Sequence, residues 1–424
     1  MKYDKKTLDN GLRIITCSME ARRSLSLGIW IKTGGRYENN SNKGISHYLE
    51  HLIFKGSKKY SCREIKESIE GIGGSLNGFT SEELTCYLVK APAQYCDLCL
   101  NILADMSLNP LLDSQDIEKE RTVILEEIKM YRDLPQSYVY ELLDALLWPA
   151  QPLGMSIAGS EESVKRIKQE DLVEYQRRYY AASGIIVSAA GQLDPDKFAS
   201  KVETIFSGVG QGQDNEFLPV SIKQAKPQLN LFHKDTEQTH LALAFHALKR
   251  DHPMKYALAL MHIIMGGNMS SRLFNEIREK RGLAYEIGAA VKKFHDCGSF
   301  IIHAGIDNTK VEEALKLILA EAKKIRETLI TEDELKRAKE FYAGQLMLSL
   351  EDTMDHMLWI GESISTIGRL YSVEEIMNGI NNVSREDIRG LAQAIFKEEG
   401  LNLALIGPVK NIEEKLYKEL FIKS

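Results

Sequence analysis

The sequence predicts an α+β fold made of two homologous domains, each a mainly antiparallel sheet with helices packed on one face. The chain of 424 residues is long enough for two domains of ordinary size. Its two halves repeat the same segments at a constant spacing of 216 residues. Matching positions are Leu25 and Leu241, Asp171 and Asp387, and Gly184 and Gly400. Strands mixed with blocks of helix favour a sheet covered by helices in each half.

The first half defines the order of elements. GLRIITCSM and SLSLGIWIKTG are strand-like, and GISHYLEHLIF and SCREIKESIEGI predict helices. SLNGFTSEELTCYLVKA predicts two strands with a short turn, and residues from about 113 to 147 predict helices. QEDLVEYQRRYY predicts a helix with an acidic first turn, and GIIVSAAGQLD predicts the last strand. The second half repeats these signals in HLALAFHALKR, REDIRGLAQAIF and GLNLALIGPVK.

A polar, glycine-rich segment separates the two halves. SGVGQGQDNEFLPVSIKQAKP, near 207–227, also contains two prolines and is typical of a linker. We therefore predict an N-terminal domain at 1–208, a linker at 209–227 and a C-terminal domain at 228–424.

Composition indicates a globular protein, with 44% hydrophobic and 27% charged residues. The net charge of -6 argues against a nucleic-acid partner, and no apolar run reaches the roughly 18 residues that would predict a membrane span. No secretory signal is visible and the six cysteines form no dense framework, so we expect a reducing cytoplasm. Cys96 and Cys99 form a CxxC inside an amphipathic helix without a second CxxC, which favours ordinary thiols.

The string His47-Tyr-Leu-Glu50-His51 indicates a metal site. Residues four apart share a helix face, so both imidazoles can reach one ion. Catalytic zinc is usually held by three protein ligands, with one position left for water. Glu50 shares this face and can act as general base on that water. The pattern is HxxEH, the inverted counterpart of HExxH, and roughly 0.02 chance matches are expected in a chain this long.

A third ligand must come from elsewhere in the chain. The helix IEKERTVILEEIKMY offers the carboxylates of Glu118, Glu120, Glu126 and Glu127. Glu120 and Glu127 are two turns apart and share a face, so one can bind metal while the other supports a histidine ring. Spacing alone leaves open which does which, and a solvated acidic face is the alternative.

HYLEHLIFKGS, GGSLNGFTSEELTCY and ERTVILEEIKMY resemble the pitrilysin/insulysin-type metallopeptidases. The most similar branch is the short form, which includes the mitochondrial processing peptidase and its bacterial relatives, and the resemblance covers almost the whole chain. It implies one Zn²⁺ per chain with Glu127 as third ligand, and Glu120 as the carboxylate that supports the site. It also implies a second repeat without metal. At the offset of 216, the positions of His47, Glu50, His51 and Glu127 hold Ile263, Gly266, Gly267 and Ala343.

The second half has its own signature, GGNMSSRLFNEIREKRGLAYEIG. The resemblance implies that Arg278 and Tyr285 contact the substrate near the zinc, where an Arg can bind a carbonyl and a Tyr hydroxyl can stabilise an oxyanion. A surface Arg and a strand Tyr are the alternative. In the short form the two halves of a site often belong to different subunits. Because this chain carries both sets, we expect a homodimer with two composite sites.

The strand SLNGFTS is the candidate peptide-binding element. An extended peptide can pair with an open sheet edge through main-chain bonds. The resemblance implies that Asn77 binds the substrate backbone. Gly78 stands where many relatives have Ala, which we expect to be tolerated, and Phe79 either lines a side-chain pocket or belongs to the core.

These observations predict a zinc endopeptidase that hydrolyses unfolded peptides, with Glu50 as general base. The resemblance implies an enclosed chamber between the domains. One alternative is a non-catalytic structural or partner subunit of the same fold, although such relatives usually have a broken HxxEH or lack the third carboxylate. Another is a zinc hydrolase acting on a non-peptide substrate, which the peptide-pairing strand disfavours.

Overall fold

The computed structural model describes residues 3–410, which form eleven strands in two sheets and fourteen α-helices. The strands are β1 (Tyr3–Thr7), β2 (Arg13–Ser18), β3 (Ser24–Ile31), β4 (Ser75–Thr80), β5 (Thr85–Pro92), β6 (Ile185–Gly191), β7 (Gln228–His233), β8 (Gln238–Ala247), β9 (Ala284–Lys293), β10 (Gly298–Asp307) and β11 (Leu401–Gly407).

The helices of the first half are α1 (Ile45–Ile53), α2 (Cys62–Glu70), α3 (Cys96–Leu108), α4 (Ser114–Asp133), α5 (Pro135–Leu147), α6 (Glu161–Arg166), α7 (Gln169–Tyr179) and α8 (Pro195–Phe206). Those of the second half are α9 (Lys255–Met265), α10 (Val311–Glu327), α11 (Glu332–Ser349), α12 (Thr353–Ile367), α13 (Val373–Asn381) and α14 (Arg385–Ile395). A π-helical turn covers Phe274–Glu279. Among residues 3–410, no helix is both long and apolar enough to cross a membrane.

The two sheets share one topology. The first has the strand order β1-β2-β6-β3-β5-β4 and the second has β7-β11-β8-β10-β9, so β1 is the extra strand of the first. Among the described strands only β2 with β6 and β7 with β11 are parallel, which confirms the mainly antiparallel α+β prediction. The bounds of β6 and β11, and those of α7 and α14, differ by 216 residues, the spacing of the sequence repeat.

The chain packs as two compact units. The first contains the described residues up to Lys129, Met155–Leu218 and Met347–Leu370. The second contains Met130–Gly154, Pro219–Leu346 and the described residues from Tyr371 onward. The division between Leu218 and Pro219 lies within the predicted linker 209–227, but each unit also includes a helix from the other half of the sequence. The units therefore interleave along the chain, unlike the contiguous domains 1–208 and 228–424 predicted above.

In the first unit, both faces of the sheet are covered. Helices of the first half, among them α1, α3 and α8, pack on one face. Helix α12 packs on the other, where Met357, Ile360 and Ile364 join Trp30 in a second core. Seven of the eight residues of β3 are buried, as expected for a strand covered on both sides. The prediction of helices on one face therefore describes only half of this packing.

The second unit shows the reciprocal arrangement. Helix α5, from the first half of the sequence, packs on β7, β8 and β11 through Val139, Leu143 and Leu147. On the other face, Phe245 packs edge-on against Phe396 at the end of α14, with ring centroids 5.1 Å apart. Helices α5 and α12 occupy corresponding places in the repeat. Each half of the sequence therefore supplies one helix to the other half's sheet.

Candidate active site

Helix α1 places the three motif residues His47, Glu50 and His51 on one face. The two imidazole centroids are 4.6 Å apart, and the side chains remain 12% and 21% exposed. The opposite face of the helix is apolar and buried, including Tyr48 and Leu49. Burial of that face orients the motif away from the core.

The start of α1 is fixed by a buried carboxylate. Glu38 accepts hydrogen bonds from the backbone N–H groups of Gly44 (2.9 Å) and Ser46 (2.8 Å), which are free donors at a helix N-terminus. Gly44 has φ 94°, a conformation that favours glycine, and a Cβ there would lie 2.7 Å from the carbonyl oxygen of Ala158. This local geometry positions the helix that carries the motif.

Glu127 on α4 completes a three-residue cluster with the two histidines. One carboxylate oxygen of Glu127 lies 3.8 Å from His47 Nε2 and 3.5 Å from His51 Nε2, and the three ligand atoms all lie within 4.8 Å of one another. A tetrahedral ion with bonds of about 2.1 Å holds its ligands about 3.4 Å apart. Within residues 3–410 this is the only group of three or more His, Cys, Asp or Glu side chains with such geometry.

The protonation of His47 suits metal binding. Burial and the neighbouring His51 lower the pKa of His47 to about 4, so its imidazole is neutral near neutral pH. Neutral imidazole is the form that binds a metal. Two imidazoles and one carboxylate are a donor set of catalytic zinc sites, and the residues therefore fit Zn²⁺.

Glu120 contacts one histidine of the cluster from the side opposite Glu127. Its carboxylate contacts His51 Nδ1 at 3.1 Å, which leaves His51 Nε2 for the metal. The other oxygen of Glu120 pairs with Lys55 Nζ at 2.5 Å, and the Glu120 side chain is only 8% exposed. The geometry thus separates the two carboxylates that spacing left open, since Glu127 reaches both rings and Glu120 reaches the far side of one.

Glu50 is partly buried beside this cluster. Burial raises the pKa of Glu50 above its usual value, while His51 and a hydrogen bond from Thr80 act in the opposite direction. The Thr80 hydroxyl donates to Glu50 Oε2 at 3.3 Å. A partly buried carboxylate with a raised pKa, next to His47, His51 and Glu127, is a candidate general base.

Strand β4 lies at an edge of its sheet. Its one strand partner among the described residues is β5. Asn77 is exposed, and its side-chain oxygen accepts from Gly78 N at 2.8 Å. Phe79 is 37% exposed and packs edge-on against Trp30, with centroids 5.8 Å apart. Phe79 thus has both a contact with the second core and an exposed part, while the roles of Asn77, Gly78 and Phe79 in peptide binding remain predictions.

Arg278 and Tyr285 lie together in the second unit. Arg278 belongs to the π-helical turn, and its guanidinium lies 5.4 Å from the centroid of the Tyr285 ring. Tyr285, near the start of β9, is 77% exposed. The structure therefore brings this predicted pair together. The metal-type cluster belongs to the first unit, so a composite site that uses both remains a prediction.

Three supporting residues were missed at the level of sequence: Lys55, Thr80 and Glu38. Lys55 follows His51 by four residues, so its place on the same helix face was visible as a spacing. The contacts of Thr80 and Glu38 depend on how a strand and a loop pack against α1, and no local pattern signals them. Cys96 is half-buried and Cys99 is buried. Burial raises the pKa of Cys96 to about 12 and that of Cys99 to about 11, which disfavours the thiolate that a redox CxxC needs.

Two domain descriptions match successive parts of the chain. Residues 13–161 match the family described as Insulinase (Peptidase family M16), and residues 166–342 match the Peptidase M16 inactive domain. The chain belongs to peptidase family M16. The HxxEH helix and Glu127 fall in the first M16 domain, and Arg278 and Tyr285 fall in the one described as inactive.

Several curated M16-type relatives are named zinc proteases. The uncharacterized zinc protease YmxG of Bacillus subtilis (strain 168) is 36% identical over 413 residues, which cover 96% of this chain and 98% of that protein. An uncharacterized zinc protease of Rickettsia felis is 36% identical over 407 residues, with 96% and 98% covered. These names support a zinc metalloprotease of the short two-domain form at the level of the M16 family.

Solved structures show the same M16 fold. A protease from Helicobacter pylori superposes with a TM-score of 0.91 at 23% identity, covering 96% of this chain and 99% of that one. A peptidase M16 inactive domain from Pseudomonas fluorescens gives a TM-score of 0.89 at 18% identity, covering 96% and 99%. At these identities the likeness establishes the two-domain architecture.

Proposed function

We propose that this M16 protein is a zinc-dependent endopeptidase that hydrolyses unfolded peptides, with Glu50 as general base. The observation that carries the proposal is the convergence of His47, His51 and Glu127 on one point, next to Glu50 on the same helix face. Catalytic zinc sites use such a set of three protein ligands and keep one position open. The zinc-protease names of the relatives support the same class of reaction.

Each residue of the proposed site has a separate role in hydrolysis. Bound zinc would polarise the scissile carbonyl and acidify water at the open position. Glu50 takes the proton from the attacking water and then gives it to the leaving amine, for which a raised pKa is suited. Glu120 holds the ring of His51 in place.

An extended peptide is the substrate that fits the edge strand. Main-chain hydrogen bonds to β4 would hold a peptide largely regardless of its sequence, and an extended chain must be unfolded to form them. Asn77, exposed on β4, is the residue we assign to the peptide backbone. A chamber between the domains, as the family resemblance implies, would exclude folded proteins.

An assay with internally quenched peptides tests the proposal. The zinc-loaded protein is expected to cleave them, to lose this activity to a chelator, and to regain it with Zn²⁺. It is expected to leave the same sequences intact when they are part of a folded domain. A zinc-loaded protein that cuts no peptide would favour a non-catalytic structural or partner subunit. Cleavage of non-peptide esters alone would favour a zinc hydrolase that acts on a non-peptide substrate.

We also propose a homodimer in which Arg278 and Tyr285 of one copy complete the site of the other. Mixing two inactive variants, Glu50→Gln and Arg278→Ala, tests this arrangement. Random exchange makes half of the dimers mixed, and each mixed dimer has one working site of two, so about a quarter of the wild-type activity is expected. No recovery after exchange, or a monomeric active enzyme, would contradict it.

A further inference from the structure

One face of strand β4 lies toward helix α1, which carries Glu50. Its side chains alternate between the exposed positions of Asn77 and Phe79 and the less exposed positions of Gly78 and Thr80. Gly78 and Thr80 therefore share the face toward α1, and both approach Glu50.

The carboxylate of Glu50 is held by one hydrogen bond from the protein. The Thr80 hydroxyl donates to Oε2 at 3.3 Å, and within residues 3–410 no other group donates to this carboxylate. The second oxygen, Oε1, lies on the Gly78 side, where a Cβ would approach it to 3.1 Å. The same Cβ would lie 3.0 Å from Phe54 Cζ, so glycine leaves room for both Oε1 and the Phe54 ring.

Thr80 is followed by a hydrogen-bonded turn. Ser81 N donates to Leu84 O at 2.8 Å, and Leu84 N donates to Ser81 Oγ at 3.1 Å. Glu83 in the same turn forms a buried ion pair with Arg36 at 2.6 Å. A side chain that positions a catalytic group must have its own backbone fixed, and this turn provides that support.

We propose that Thr80 is a positioning residue for the general base: its hydroxyl holds Oε2 of Glu50 so that Oε1 remains free for proton transfer. The inference rests on the proposed function of Glu50 but concerns a residue to which that function assigns no role. It makes β4 the element that both receives the peptide and orients the base.

Three variants test the inference. Thr80→Val keeps the side-chain shape and removes the donor, and Thr80→Ser keeps the donor and removes the methyl group. Thr80→Val is expected to lower kcat by about tenfold, as for loss of a hydrogen bond to a charged group, with KM and zinc content within about twofold of wild type. Thr80→Ser is expected to recover kcat to within about threefold of wild type. Thr204→Val, which removes an exposed hydroxyl on α8, serves as the matched control.

Equal losses in Thr80→Val and Thr80→Ser, or an unchanged kcat in Thr80→Val, would overturn the inference. A crystal structure of each zinc-loaded variant adds a readout that needs no turnover. The carboxylate of Glu50 is expected to rotate away in Thr80→Val and to stay in place in Thr80→Ser. If the wild-type protein proves inactive on peptides but the carboxylate moves as expected, the proposed function fails and the positioning role stands. An unmoved carboxylate in Thr80→Val rejects the positioning role in either case.

Discussion

Replacing Glu120 tests how the second carboxylate of α4 contributes to zinc binding. The change Glu120→Gln keeps the side-chain shape but removes the charge that contacts His51 Nδ1 and Lys55 Nζ. The amide of Gln would then place its NH₂ group against either the Nδ1–H of His51 or the ammonium of Lys55, so that two donors face each other. We expect the orientation of the His51 ring to be weakened while all three ligands remain.

The size of the effect follows from these contacts. Groups that orient metal ligands are typically worth 10–100-fold in metal affinity, or about 1.4–2.8 kcal/mol. The Glu120 side chain is only 8% exposed and pairs with Lys55 at 2.5 Å, so we expect a value toward the upper end. Glu127→Gln removes a ligand itself and is expected to weaken zinc binding by at least about tenfold more.

Competition with a chromophoric chelator at neutral pH measures both variants. Glu126→Gln, a change of an exposed neighbour on the same helix, serves as the control and is expected to bind zinc as wild type does. The reasoning would be refuted if Glu120→Gln lost zinc completely while Glu127→Gln kept it, because the ligand and its support would then be exchanged.

Three further predictions concern stability and the edge strand. Ile360→Ala in α12 should destabilise the first unit by about 2–5 kcal/mol, because the side chain is fully buried. The readout is unfolding, with zinc release, at a lower denaturant concentration. Unchanged unfolding would contradict the packing of α12. Burial tends to raise the pKa of Glu334, but hydrogen bonds, chiefly from Arg272, outweigh it and lower the pKa to about 2. The stabilisation from these hydrogen bonds should be present above pH 4.5 and lost as pH falls toward 2. Arg272→Gln should therefore show a smaller drop in melting temperature from pH 5 to pH 3 than wild type does. An equal drop would refute the pairing of Glu334 with Arg272. Gly78→Ala should leave kcat within a few-fold of wild type, because its Cβ would meet only the ends of two side chains, Phe54 Cζ at 3.0 Å and Glu50 Oε1 at 3.1 Å. A larger loss would show that the carboxylate cannot yield.

The proximity of the two histidines was predictable because it follows from local spacing. His47 and His51 lie four apart on one helix, and this fixes their common face before any tertiary contact is considered. The choice of Glu127 over Glu120 needed either the family resemblance or the packing of α4 against α1. Only the structure shows that Glu127 approaches both rings whereas Glu120 contacts the far nitrogen of His51.

The exchange of helices was not predictable from local pattern. The apolar faces of α5 and α12 indicate that each must be buried, but periodicity does not say against which sheet. The nearly continuous burial of β3 was the available signal that its sheet is covered on both sides. Thr80 illustrates the same limit on a smaller scale, because a threonine at a strand end gives no sign of the carboxylate it contacts.

The most direct test of the central claim compares zinc content and peptide cleavage in wild type and in Glu50→Gln. The account predicts that both proteins bind one zinc ion per chain and that only wild type cleaves, with the variant reduced by a factor of at least about 100. Cleavage by Glu50→Gln at the wild-type rate, with zinc bound, would contradict the assignment of Glu50 as the general base and with it the proposed mechanism.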